Sequence, residues 1–274
     1  MRSVVSADGT VVGYRQLGEG PAVVLVHGSM LAAQHFTELA AALGDQFTVV
    51  VPDRRGRGLS GPHGPDFGIE REVEDLQALV KETGAARVFG LSSGALIALR
   101  TAAVTPAIEK LALYEPPLSI NGSVPVSWAA RYRREIAAGR TAAALATVLK
   151  GLRVEPAFNL VPRFALVPLL SLGLRSERND DVPMVDLIPT MSADLDLVDQ
   201  LADTTKDYAA VDAEVLLLEG SKSPAYFGIA LAELSAVLPR SSHQILPKLD
   251  HSAPTDDGKP EVVADALRAF FTPA

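Results

Sequence analysis

The chain has 274 residues, 48% of them hydrophobic, with a formal net charge of −8 and no cysteine. That length suits one large domain or a core with an inserted subdomain, and the apolar content is enough for a sizeable buried core. The lack of cysteine excludes a disulfide framework, a thiol nucleophile and a thiolate-held metal. The lack of a basic block argues against a nucleic-acid partner.

The opening MRSVVSADGT has no apolar stretch of the kind a secretory signal needs. The most apolar later stretch, 164–174, is about half the length of a membrane span. A soluble, cytoplasmic protein with no membrane partner is therefore expected. Arginine outnumbers lysine and alanine is abundant, which fits a GC-rich bacterial genome and says nothing about chemistry.

Residues 3–12 and 12–17, broken at Asp8-Gly9, predict a β-hairpin, since Asp-Gly is a turn signal. Residues 22–27 form a continuous apolar, β-branched run, as expected of a strand buried on both faces. A helix is predicted at 31–43, stopped by Gly44, then a strand at 47–51 and a helix at 69–83 ended by Gly84. A third buried strand at 87–91 leads into a helix at 95–104, followed by a strand at 110–114. This alternation predicts a doubly wound parallel sheet.

The alternation stops after Pro116-Pro117. Residues 118–211 look helical and irregular, with periodic pieces at 126–138 and 141–152. A strand at 215–218, a helix at 226–237, a strand at 243–246 and a helix at 260–271 restore the pattern. The expected organisation is a core of 1–117 and 212–274 with a helical cap, 118–211, over the sheet's carboxyl edge, where open α/β sheets bind ligands. The cap is apolar, so most of its stripes serve helix packing. Met30 and Trp128 are its candidate neighbours of a substrate pocket.

Gly90-Leu91-Ser92-Ser93-Gly94 fits G-x-S-x-G between a predicted strand and a predicted helix. A serine on that turn is exposed at the sheet edge, and the flanking glycines leave room for the strained backbone. Ser92 is the candidate nucleophile. Ser93 sits one place off the glycine frame and takes a backbone role.

A neutral serine hydroxyl needs a base beside it. Of His27, His35, His63, His243 and His251, only His251 follows the last predicted strand at the edge that carries Ser92. His243 is placed at the start of that strand, at the opposite edge. His35 falls in a helix, His63 in a Gly/Pro loop, and His27 is read as structural. His27-Gly28-Ser29 follows the first buried strand, where the Ser29 N–H, with that of Ser93, can face a developing oxyanion.

The chain resembles the α/β-hydrolase superfamily. The residues that carry the resemblance are His27-Gly28-Ser29, the stretch Pro52-Asp53-Arg54-Arg55-Gly56-Arg57-Gly58-Leu59-Ser60, the elbow Gly90–Gly94, and Leu249-Asp250-His251, in the family's order. The resemblance implies a mostly parallel eight-stranded sheet flanked by helices with an inserted cap, and a loop at Asp53–Ser60 that shapes the site. It implies no metal and no organic cofactor.

The family's usual acid, in Gly-x-x-Asp after the strand that follows the cap, is missing, because Gly220-Ser221-Lys222-Ser223 puts a serine there. Either the triad is broken or the acid comes from elsewhere, and Glu115, 23 residues after Ser92 and at the end of the next strand, is the replacement the sequence offers. Some subgroups of the fold, certain lactone hydrolases and haloalkane dehalogenases among them, use a glutamate there. Glu219, Asp196 and Asp199 are weaker candidates. The expected activity is hydrolysis of a carboxylic ester or lactone of a fairly hydrophobic small molecule through Ser92, His251 and Glu115, by a monomer or homodimer. The serine argues against the dehalogenase and epoxide hydrolase chemistries of this fold, which use an aspartate nucleophile. A cofactor-free elimination, cyclisation or acyl transfer, or a binding protein that keeps only the pocket, are the alternatives.

Overall fold

The computed structural model describes residues 2–154, 156–176 and 181–272. β1 (Arg2–Val5) and β2 (Val11–Leu17) pair antiparallel around a turn in which Gly9 takes φ +88° and the Thr10 N–H donates to Asp8. After them β3 (Ala22–Val26), α1 (Thr37–Leu43), β4 (Thr48–Pro52), α2 (Ile69–Thr83), β5 (Arg87–Leu91), α3 (Ser93–Ala102) and β6 (Lys110–Tyr114) alternate along the chain. The helices α4 (Ala129–Ala137), α5 (Thr141–Leu152), α6 (Pro156–Leu160), α7 (Arg163–Ser176), α8 (Met184–Leu187) and α9 (Met191–Gln200) intervene. Then β7 (Glu214–Gly220), α10 (Ala225–Val237), β8 (Ser241–Leu246) and α11 (Pro260–Phe271) complete the alternation.

Among the described residues the sheet has eight strands in the order β1-β2-β4-β3-β5-β6-β7-β8, antiparallel at β1–β2–β4 and parallel elsewhere. The chain steps outward from β3 to β4, then returns to the other side of β3 as β5. The reversal leaves a crevice at the carboxyl ends of β3 and β5. Both strands end in motif residues, His27-Gly28-Ser29 and Ser92.

The central strands are buried on both faces, so each divides its side chains by the period of two between two cores. Val24, Val26, Leu111, Leu113, Val215 and Leu217 pack with α2, α3 and α10. Val23, Leu25, Ala112, Tyr114, Leu216 and Leu218 pack with α1 and α11. Each large side chain so buried stabilises the fold by roughly 1.5–3 kcal/mol.

The helices between β6 and β7 have an apolar cluster of their own, which includes Trp128, Tyr132, Leu145, Val148, Ile188, Met191 and Leu195. The two ends of this segment, with Leu118, Val124, Leu197, Val198, Tyr208 and Val211, pack into the main core instead. Residues 155 and 177–180 of the segment lie outside the described residues. Among the described residues no helix is long and apolar enough to cross a membrane.

Three sequence expectations shift. The helix expected at 31–43 is a loop, a 3-10 turn at Ala33–Phe36 and then α1, with Ala32 extended at φ −135° before the turn and Phe36 at φ −116° where the turn meets α1, while Asp53 caps the start by accepting the Ala33 N–H at 2.8 Å. The helix after the elbow begins at Ser93 rather than 95. His243 lies inside β8 rather than at its start, where its Nε2 is 3.2 Å from Glu219 Oε2.

Candidate active site

Ser92 sits where β5 passes directly into α3, at φ 54° and ψ −124°. Such a φ is strained for a residue with a side chain and persists only where its surroundings enforce it. Here they do. A Cβ on Gly90 would lie 2.5 Å from the Gly94 carbonyl oxygen, and one on Gly94 would overlap the carbonyl oxygens of Val26 and His27. The elbow is thus pressed against both its own helix and the end of β3. The Ser92 N–H donates to the Tyr114 carbonyl at 2.9 Å, which ties the turn to β6.

Gly28 brings the other turn close, since a Cβ there would meet Ser92 Cβ at 3.0 Å. Ser29 Oγ donates to Ser93 Oγ at 3.1 Å. Among the described residues neither the Ser29 nor the Ser93 backbone N–H donates to a protein acceptor. Ser93 is the first residue of α3, and the first N–H groups of a helix lack intrahelical partners.

His251 follows β8, and its Nδ1 is 2.6 Å from Glu115 Oε2. Glu115 directly follows β6, is fully buried and has φ 49°, and its Oε1 accepts the Gly220 N–H at 2.6 Å. Both carboxylate oxygens are therefore engaged. Because the carboxylate accepts, Nδ1 carries the imidazole proton and Nε2 is left as the acceptor. Phe227 stacks on the ring at 4.4 Å between centroids and 11° between planes. Tyr114 Oη donates to the Asp250 carbonyl at 2.6 Å and so holds the loop that carries His251. Gly220 permits this convergence, because a Cβ there would lie 2.7 Å from the Leu249 carbonyl oxygen and 2.9 Å from Tyr114 Oη.

The other acids lie elsewhere. Glu219 pairs with His243, and Asp196 pairs with Arg133 at 2.6 Å. Asp199 is exposed.

Ser92 and His251 line one cavity of ≈ 610 Å³ together with Ser29, Met30 and Trp128. Most of its remaining wall is apolar and comes from the helices between β6 and β7, with Leu145, Leu149, Leu195 and Val198 among them. An imidazole oriented by a buried carboxylate can accept the proton of a hydroxyl at a strained elbow, whose oxygen can then attack an acyl carbon.

The profile of the alpha/beta hydrolase family matches residues 23–266. The chain belongs to that family. A solved α/β hydrolase from Sphaerobacter thermophilus superposes with a TM-score of 0.79 at 31% identity, over 99% of this chain and 100% of that one. The 2-(acetamidomethylene)succinate hydrolase of Mesorhizobium japonicum is 26% identical over 94% of this chain and 90% of its own length. The N-formylmaleamate deformylase of Pseudomonas putida is 38% identical, but only over 42% of this chain and 45% of that relative's length.

In this hydrolase the loop after β4 does more than the sequence disclosed. Arg54, Arg55 and Arg57 are all buried. Arg55 is held by Asp75 at 2.6 Å and Asp8 at 2.8 Å. Arg54 pairs with Glu72 at 2.7 Å and Asp194 at 2.8 Å, and its Nη1 donates to Ser93 Oγ at 3.0 Å. Arg57 Nη2 is 2.5 Å from the second oxygen of Asp194. Asp194, on α9, lines the cavity and was not singled out from sequence. Three arginines in four positions were the available signal, but nothing in the sequence named their partner.

His27 is fully buried. Its Nε2 accepts the Arg54 N–H at 3.2 Å, so Nδ1 is the donor to the Gly28 carbonyl at 3.0 Å. Burial first, then the charges of Arg57 and Arg54, hold its pKa well below the ordinary 6.5. The folded protein thus keeps His27 neutral while the unfolded chain takes up a proton below that pH. Its stabilising contribution is complete above pH 6.5 and is lost as the pH falls toward the folded pKa, by about 1.4 kcal/mol per pH unit. Urea unfolding at pH 7 and pH 5.5 should show this slope, and His27→Gln should flatten it. An equal slope in the variant would refute the assignment.

Proposed function

We propose that this hydrolase cleaves a carboxylic ester or lactone of a fairly hydrophobic small molecule, with Ser92 as nucleophile, His251 as general base and Glu115 as the acid that orients it. The observation that carries this reading is the 2.6 Å bond that buried Glu115 accepts from His251, which lines the same cavity as Ser92 at its elbow. Ser92 Oγ attacks the acyl carbon while His251 Nε2 takes its proton. The N–H groups of Ser29 and Ser93 receive the oxyanion. His251 then protonates the leaving alcohol, and water activated by the same imidazole releases the acyl group from Ser92. No step calls for a metal or an organic cofactor. Residues 118–211 act as a cap whose apolar wall receives the substrate, and residues 1–117 and 212–274 form the core that holds the reacting groups.

The test is labelling with a fluorophosphonate followed by a panel of neutral esters and lactones. The panel includes an N-formyl amide, because one relative is a deformylase. Labelling confined to Ser92, with turnover of at least one ester or lactone, is the expected result. A labelled serine with turnover of the amide alone would replace the ester reading. An unlabelled serine would leave a binding protein.

A further inference from the structure

The cavity wall holds a carboxylate that the proposed reaction does not use. Apart from His251, the charged residues that line the cavity among the described residues are Asp194 and Asp257, and neither lysine nor arginine reaches it. Asp257 is exposed, whereas Asp194 is 1% exposed. Its two oxygens are shared between two guanidinium groups behind the wall, Oδ1 at 2.8 Å from Arg54 Nη1 and Oδ2 at 2.5 Å from Arg57 Nη2. Burial opposes its ionisation, but the charges of Arg54 and Arg57 outweigh it and hold the carboxyl well below the usual carboxylate range.

The partners are unequal. Arg54 keeps Glu72 on its far side, while Asp194 is the carboxylate paired with Arg57 among the described residues. Arg57 also donates Nε to Thr190 Oγ1 at 3.1 Å, so its fork is fixed in direction. Arg57 hydrogen-bonds Asp194, whereas Oδ1 meets Arg54 as an ion pair without a hydrogen bond. Two guanidinium charges on one carboxylate at a cavity wall resemble the arrangement by which proteins bind a ligand carboxylate. Here the chain supplies the carboxylate itself.

We propose that Asp194 occupies a carboxylate subsite built by Arg54 and Arg57, and by filling it makes the cavity reject acidic substrates. This rests on the reading of the cavity as the substrate site. A carboxylate entering beside ionised Asp194 would lose its hydration, meet a like charge and find no free cation. With Asp194 removed, the same wall would present an excess of positive charge beside Ser93, to which Arg54 Nη1 already donates.

The experiment compares two esters of one alcohol, a neutral monocarboxylic ester and a half-ester of a dicarboxylic acid of equal chain length. The wild-type enzyme should favour the neutral ester. Asp194→Asn should shift the ratio of kcat/KM toward the half-ester by about ten-fold or more, and adding Arg57→Leu should abolish that shift. Asp194→Gly should gain thermal stability from millimolar formate, with no such gain in the wild type. If the asparagine variant does not fold, the glycine variant refolded with and without formate decides the matter. Folding or stabilisation that needs formate supports the subsite. An unchanged substrate ratio, or no response of the glycine variant to formate, overturns it. The formate readout requires no hydrolysis, so wild-type inactivity on both esters would reject the ester reading and leave the subsite to be judged by formate.

Discussion

Replacing Ser92 by alanine is expected to lower kcat on any ester substrate by ~10⁴- to 10⁶-fold. The expectation follows from the elbow. The hydroxyl stands at a turn whose shape is set by the neighbours of Ser92, with Gly90 and Gly94 packed against backbone. Removing one oxygen leaves that turn, the His251–Glu115 pair and the cavity in place. In the proposed mechanism the covalent route disappears, while the proposed oxyanion donors, the N–H groups of Ser29 and Ser93, would still sustain a small residual rate. KM should change little, since the apolar wall proposed to bind the substrate is untouched. Turnover on the best ester, fluorophosphonate labelling and far-ultraviolet circular dichroism check the three parts. Activity within ten-fold of wild type in a folded variant would mean that Ser92 is not the nucleophile.

Glu115→Gln is expected to cost ~10³- to 10⁴-fold in kcat with the fold retained. The glutamine carbonyl can still accept the Gly220 N–H, which Glu115 Oε1 now accepts at 2.6 Å. Its amide then faces His251 Nδ1 with a donor. The imidazole responds by moving its proton to Nε2, the nitrogen that must take the proton of Ser92. The negative charge that stabilises the imidazolium in the transition state is lost as well. The two effects act on kcat more than on KM. Steady-state kinetics with a urea unfolding curve separate them from loss of structure. Turnover near wild type would take Glu115 out of the proposed triad and reopen the question of which acid serves.

Local signals placed most of the frame. α2 and α11 begin and end where their periodicity and flanking residues put them, at Ile69–Thr83 and Pro260–Phe271, and β5 and β6 match their apolar runs. Ser92 was legible because an elbow is a short-range object, with a buried strand, two glycines and a helix inside a few residues. The helix expected at 31–43 starts later and in two pieces, with its start at Ala33 capped by Asp53 from across the molecule, an interaction that periodicity does not register.

Composition and order along the chain thus determined the sheet, the elbow and the edge on which Ser92, Glu115 and His251 emerge, because these depend on burial period and turn chemistry within a few residues. Only the tertiary structure decided which carboxylate meets His251, since Glu115 lies 136 positions away and the two meet where the segments after β6 and β8 reach the same edge of the sheet. It alone placed Asp194 against Arg57, 137 positions earlier in the chain, at the cavity wall. Charges so distant in sequence find each other only when packing has removed the water that would otherwise screen them.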